Sequence, residues 1–173
     1  MRTRPGLAFL LMVCTVAAPS TGSAQLPTDS ATLQIRQTAF APWLRVNLDS
    51  SHQTWSGTFV RDLVPGRGSP VGRLRGVRVV LHMWLADGTP ILDPVRGVVA
   101  IDTVAFRVGQ GAVIRGLDEG VNGMGLGGVR QLVIPSAAGW GRTGRNAVPP
   151  NAVLVAEVKL LMAAYDDSVR VVR

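Results

Sequence analysis

Val77, Val79, Leu81, Met83 and Leu85 occupy every second position of one run, with Arg78, His82 and Trp84 on the intervening positions. Successive side chains of an extended chain point to opposite faces, so this pattern predicts a strand with one buried side. Asp87-Gly88 ends it as a turn. A second strand is predicted around Leu132 and Ile134, ended by Pro135. In a third, Leu154, Ala156, Val158 and Leu160 alternate with Val155, Glu157 and Lys159. Helical spacing occurs once: Ile114, Leu117, Val121 and Met124 recur at i, i+3, i+7 and i+10, with Asp118 and Glu119 on the other side. Gly116 and Gly120 weaken that helix, which must therefore survive by packing. One short helix among several strands predicts a small α+β domain with the helix lying across an antiparallel sheet.

Ahead of these strands, residues 25–53 form an N-terminal extension. Its Phe40, Trp43, Leu44, Val46 and Leu48 make an amphipathic piece able to pack on the main body, and Asp49-Ser50-Ser51 follows as a polar linker. Earlier still, Arg2 and Arg4 precede the apolar run Gly6 to Ala18, and Gly22-Ser23-Ala24 supplies small residues for a cut after Ala24. This is the pattern of a secretory signal peptide over residues 1–24. A membrane anchor needs about 20 apolar residues and this run is shorter, so export with no stable membrane insertion after processing is expected. Cys14, the sole cysteine, lies inside the run, which leaves the processed chain without disulfide or thiol chemistry.

The chain has 173 residues, 47% of them apolar and 17% charged, enough for one packed domain and too apolar to remain unfolded. Its net charge of +7 is carried by arginine, Lys159 being the only lysine. Arg61, Arg67, Arg73, Arg75 and Arg78 crowd one stretch, but no aromatic residues interleave with them; solvated arginines are expected there, with no nucleic-acid partner. His52 and His82 have neither cysteine nor carboxylate at ligand spacing, so no metal site is expected. Ser136 lacks a nucleophile-elbow context. Gly109-Gln110-Gly111 and Gly125-Leu126-Gly127-Gly128 lack the remaining elements of nucleotide loops and read as turns. An enzyme built from these residues must work without a strong acid, base, nucleophile or metal.

Several segments, in order, bear a family likeness. They are Thr54-Trp55-Ser56-Gly57, Gly66-Arg67-Gly68, Trp84 through Thr89, and Phe106-Arg107-Val108-Gly109 running into Val113 through Val121. Met124 with Gly127-Gly128, Leu132-Val133-Ile134-Pro135, and Val148-Pro149-Pro150-Asn151 through Val155 complete the set. Together they resemble the FKBP family of peptidyl-prolyl cis-trans isomerases over residues 54–165, leaving 166–173 as a C-terminal tail. The resemblance implies a half-open antiparallel β-sheet wrapped around one short α-helix, with an apolar pocket between them. It calls for no cofactor, and for proline-containing unfolded polypeptides as partners. Oligomeric state is left open.

The resemblance implies catalytic roles for Asp93, Ile114 and Trp140, and substrate contacts from Leu81, Leu92, Val104, Val113, Leu117, Val148 and Ala156. Asp93 matches the acidic residue closing one side of the family's pocket, and the Ile114 backbone N–H the donor to a substrate carbonyl. Trp140 stands where the family usually has tyrosine, and Leu117 replaces an aromatic floor. Leu81 stands in place of a tyrosine, and Val104 and Ala156 in place of phenylalanines. One extra residue in Gly88–Asp93 lets either Ile91 or Leu92 take a further aromatic position, Leu92 being carried forward. The implied activity is assistance to folding of exported proteins in the periplasm or cell envelope, lowered by the lost rings. The alternative is a non-catalytic peptide-binding or chaperone module, or a subunit of an envelope complex.

Overall fold

A computed structural model describes residues 30–91 and 102–164. The signal-peptide residues, the C-terminal tail, and Leu92 and Asp93 lie outside the described residues. Helix α1 (Ser30–Gln37) and a short 3-10 turn (Pro42–Leu44) lead into strands β1 (His52–Gln53), β2 (Phe59–Val64), β3 (Gly76–Leu85) and β4 (Asp102–Arg107). Helix α2 (Arg115–Val121), β5 (Val129–Ile134), a second 3-10 turn (Ser136–Ala138) and β6 (Leu154–Ala164) follow. The strands form one six-stranded sheet in the order β1-β2-β5-β6-β3-β4, and every pairing is antiparallel.

The alternation in β3 is realised: Val77, Val79, Leu81 and Met83 are buried, and Arg78 on the opposite face is exposed. Leu132, Ile134, Leu154, Ala156, Val158 and Leu160 join them from β5 and β6. Helix α2 covers this layer with Leu117 and Val121, and Met124 is buried just beyond its end. The helix is shorter than the apolar spacing predicted. Ile114 is its N-cap, at φ −58° and ψ 146°, and Asn122 its C-cap.

The helical glycines have a packing role that outweighs their propensity cost of about 1 kcal/mol each. A Cβ on Gly116 would strike Ile134 and the Thr58 hydroxyl, and one on Gly120 would strike Leu132. Without those carbons, α2 settles directly on β5.

Alternation in β5 suggests one covered face, but Gln131, Leu132, Val133 and Ile134 are all buried. The extension is the reason. Ile35 from α1 packs with Phe59, Val133 and Val153 in a second apolar cluster, flanked by Phe40, Val46 and Leu48. Full burial of each such side chain stabilises by about 1.5–3 kcal/mol. Polar bonds fix the register of this layer. The Gln131 amide donates to the Leu44 carbonyl (2.7 Å), and the Gln34 amide donates to the Asn151 carbonyl (2.9 Å). The Gln34 side-chain oxygen Oε1 accepts from the backbone N–H and hydroxyl of Ser136, both at 3.1 Å. Gly57 and Gly88, at φ +86° and +90°, leave room for Ala31 and Trp43 respectively. Trp43 departs from the expected inward packing: it is 56% exposed and meets Trp84 edge-on, with centroids 5.7 Å apart.

Candidate active site

Between the sheet and the start of α2 lies a cavity of about 260 Å³. Leu81 and Met83 come to it from β3, Val104 from β4, and Leu117 from the first turns of α2. One rim is the chain from Gly111 to Ile114, and the other is Trp140 with Arg145, from the loop between β5 and β6. Leu81 and Leu117 are almost fully buried, whereas Val104, Val113, Ile114 and Trp140 are half-buried. The enclosed end is thus aliphatic, and the wider side chains stand at the mouth.

Local structure explains why this rim holds its shape. Gly109 and Gly111 both adopt positive φ (+83° and +67°), where a side chain would be strained. Their N–H groups donate to the two carboxylate oxygens of Asp118, at 2.6 and 3.3 Å. Asp118 sits in the first turn of α2, so one carboxylate ties the loop to the helix that it precedes. Glu119 secures the same helix from another side. It accepts from the Ser56 N–H at 3.2 Å and from Arg115 Nε at 2.9 Å. Burial pushes the Glu119 carboxyl up, but hydrogen bonds from Ser56, Thr54 and Arg115 together outweigh it and hold the group below its ordinary value of 4.5.

The far end of α2 is held by Arg130, only 6% exposed. Its guanidinium donates to the Gly120 and Asn122 carbonyls at 2.8 and 2.9 Å and forms a two-point contact with Asp62 at 2.7 and 3.3 Å. Cationic donors at a helix C-terminus satisfy carbonyls that have no partner within the helix.

Two proposed contacts fall elsewhere. Ala156 is completely buried, opposite Met83 on β3 and Leu132 on β5. Its small side chain packs within the main core. Val148 is also buried in the main core, because a tight turn exchanges both backbone hydrogen bonds between Arg145 and Val148 (3.0 and 2.8 Å) and directs the valine inward. Neither residue lines the cavity. Ile91 packs against the core, with its N–H on the Met83 carbonyl at 2.8 Å. Met83, Gly111, Ala112 and Arg145 are lining residues that sequence reasoning passed over. Met83 was detectable as the inward neighbour of Leu81 on β3, but nothing local marks Arg145.

The family model for FKBP-type peptidyl-prolyl cis-trans isomerases matches residues 71–161, just over half of the chain. The chain belongs to this family. It is similar to the peptidyl-prolyl cis-trans isomerase FKBP15-3 of Arabidopsis thaliana, 34% identical over 118 residues, which cover 67% of this chain and 80% of that protein. An FK506-binding protein of Neisseria meningitidis serogroup B is 37% identical over 108 residues, covering 61% of this chain and 94% of the relative. Among solved structures, a peptidyl-prolyl cis-trans isomerase from Pseudomonas syringae superposes with a TM-score of 0.60 at 24% identity. That match covers 80% of this chain and 97% of the other and establishes the likeness of fold. FkpA from Escherichia coli gives a TM-score of 0.56 at 29% identity, over 66% of this chain and 51% of that one, so the match spans about half of FkpA.

The protein is accordingly an FKBP-type peptidyl-prolyl cis-trans isomerase, with the half-open antiparallel sheet and short central helix of that fold. Among the described residues no three histidine, cysteine or carboxylate side chains gather as a metal site. Rotation about an X-Pro bond needs no such group. Its barrier is of the order of the ~18–20 kcal/mol of a peptide bond, because resonance is lost in the twisted state. A twisted amide is less dipolar than a planar one, so apolar surroundings favour it over the ground state.

Proposed function

We propose that this isomerase encloses the X-Pro bond of exported, incompletely folded polypeptides in the cavity beside α2 and so assists their folding. The observation that carries the reading is the cavity itself: an aliphatic interior of Leu81, Met83, Val104 and Leu117, with Trp140 at its mouth. The proline ring enters the enclosed end, while the flanking peptide stays at the rim. Ile114 would donate its backbone N–H to a substrate carbonyl, and Trp140 its indole N–H. Asp93 and Leu92 belong to the proposal through the family resemblance alone. Export to the periplasm or envelope is supported by the signal-peptide pattern of residues 1–24. Among the described residues, no helix is long and apolar enough to cross a membrane.

The decisive measurement is the rate of cis-to-trans relaxation of short X-Pro peptides, alongside refolding of a protein limited by proline isomerisation. Slow X-Pro exchange makes both steps measurable. Relaxation faster than the uncatalysed rate, slowed when Leu117→Arg places a charge in the cavity, supports the reading. Relaxation at the uncatalysed rate in both assays rejects it and leaves a binding module. Intact-mass analysis of the exported chain addresses processing: a mature form starting at Gln25 is expected, and a form retaining Met1 in the membrane fraction counts against cleavage.

A further inference from the structure

We infer that Arg145 selects substrates carrying an acidic side chain next to the proline, a specificity that rests on the cavity being the isomerase site. Among the described residues lining the cavity, Arg145 alone is charged. Its position is set by the backbone. The Arg145 N–H donates to the Val148 carbonyl and the Val148 N–H to the Arg145 carbonyl, closing a two-residue turn. Asn146 takes φ +50° inside that turn, a conformation asparagine tolerates better than most residues. With Val148 buried in the core, the turn is anchored on one side and presents Arg145 on the other, at the mouth.

The guanidinium has no carboxylate in salt-bridge contact among the described residues. Arg115 pairs with Glu119, and Arg130 with Asp62. From Gly120 to Ala156 the chain contains no aspartate or glutamate at all, and Arg142 adds a second positive charge to the same loop. Asp118, near the opposite rim, is engaged by the Gly109 and Gly111 N–H groups. An X-Pro segment whose ring occupies the aliphatic interior leaves a flanking side chain beside Arg145, while Asp93, which the family resemblance assigns to another side of the pocket, carries the opposite charge. A carboxylate there gains attraction, and an ammonium meets repulsion. Arginine also offers a forked pair of donors that matches a carboxylate.

The test compares peptides that differ only as Glu, Gln or Lys immediately before the proline, and a second set that differs immediately after it. At low salt, kcat/KM for the Glu peptide should exceed that for Gln about two- to fivefold at one flank or the other, the range of an exposed ion pair, with Lys lowest. Added salt should compress the ratio. Arg145→Gln should bring Glu and Gln together, and Arg145→Glu should reverse their order. Because each ratio is taken within one variant, a general change in activity does not affect it. A Glu-to-Gln ratio of one at both flanks, or a ratio that survives Arg145→Gln, overturns the inference. Calorimetric titration with the same peptides reads the preference independently of catalysis. An affinity ratio that persists without any catalysed relaxation would leave Arg145 selection standing while rejecting the isomerase reading of the site.

Discussion

Arg130→Met removes the guanidinium that holds the C-terminal end of α2 while keeping a long apolar stem. In the native fold that guanidinium makes four hydrogen bonds, two to the Gly120 and Asn122 carbonyls and two to Asp62. Methionine donates none. The buried Gly120 carbonyl left without a donor costs about 1–3 kcal/mol, and the part-buried Asn122 carbonyl, within reach of water, costs less. The Asp62 side chain is 48% exposed, so water largely replaces its lost partner and that part of the loss is small. Methionine also relieves the cost of burying a cation, which offsets part of the total. The net expectation is a loss of about 1–3 kcal/mol, a substantial share of the roughly 5–15 kcal/mol typical of a folded protein. Equilibrium urea unfolding should show a lower midpoint with an unchanged slope. Asp62→Asn, which leaves both carbonyl contacts intact, should cost less than about 1 kcal/mol. Below its unfolding transition the Arg130→Met enzyme should also have a lower kcat/KM, because Leu117 and Ile114 move with α2. Near-native stability for Arg130→Met, or equal losses for the two variants, would refute the account of Arg130 as the anchor of the helix end.

Val104→Phe places a ring in the cavity and should raise kcat/KM on short peptides about two- to tenfold, from roughly 0.5–1.5 kcal/mol of added aromatic contact in the twisted state; an unchanged or lower rate in a stable variant would count against Val104 as a wall. Ala156→Leu, by contrast, inserts bulk into a fully buried site and should destabilise by about 1–3 kcal/mol, read by thermal unfolding. The Glu119 carboxyl is held below its ordinary value, so its contribution to stability is present above about pH 4.5 and lost as pH falls through the lower folded value. Glu119→Gln should therefore lower the unfolding midpoint at pH 7, and the gap to the native protein should close on acidification; a gap independent of pH would show that the charge is not responsible. Gln34→Ala should cost about 1–2 kcal/mol and speed hydrogen exchange in β5, because the extension loses its ties to Ser136 and Asn151.

The strand faces of β3 and β6 and the seed of α2 follow from local periodicity, because a sheet covered on one side imposes a period of two on its sequence. Signals for β5 were incomplete, since its second face is covered by a segment about a hundred residues earlier, and Ile35 gives no local sign that it will meet Val133. Family motifs located the cavity region. Leu81, Val104, Val113, Ile114, Leu117 and Trp140 line it, whereas Val148 and Ala156 pack into the core. In sequence, a small or aliphatic residue where relatives carry a ring looks the same whether it opens a pocket or fills a core, because only the neighbours across the sheet distinguish the two.

By itself, the amino-acid order determined the α+β class, the inward positions of the longer strands, the turns, and the family motifs. These depend on short-range spacing and residue type, which any window of the chain displays. Tertiary structure decided what depends on distant partners. It gave Gly116 and Gly120 their purpose against β5, turned Asp118 and Arg130 into fasteners at the two ends of α2, and made the extension a second layer over the sheet. It also brought Arg145 to the mouth of the cavity. Each of those roles depends on contacts across loops whose closure leaves no periodic trace in the sequence, so they appear only once the chain has folded back on itself.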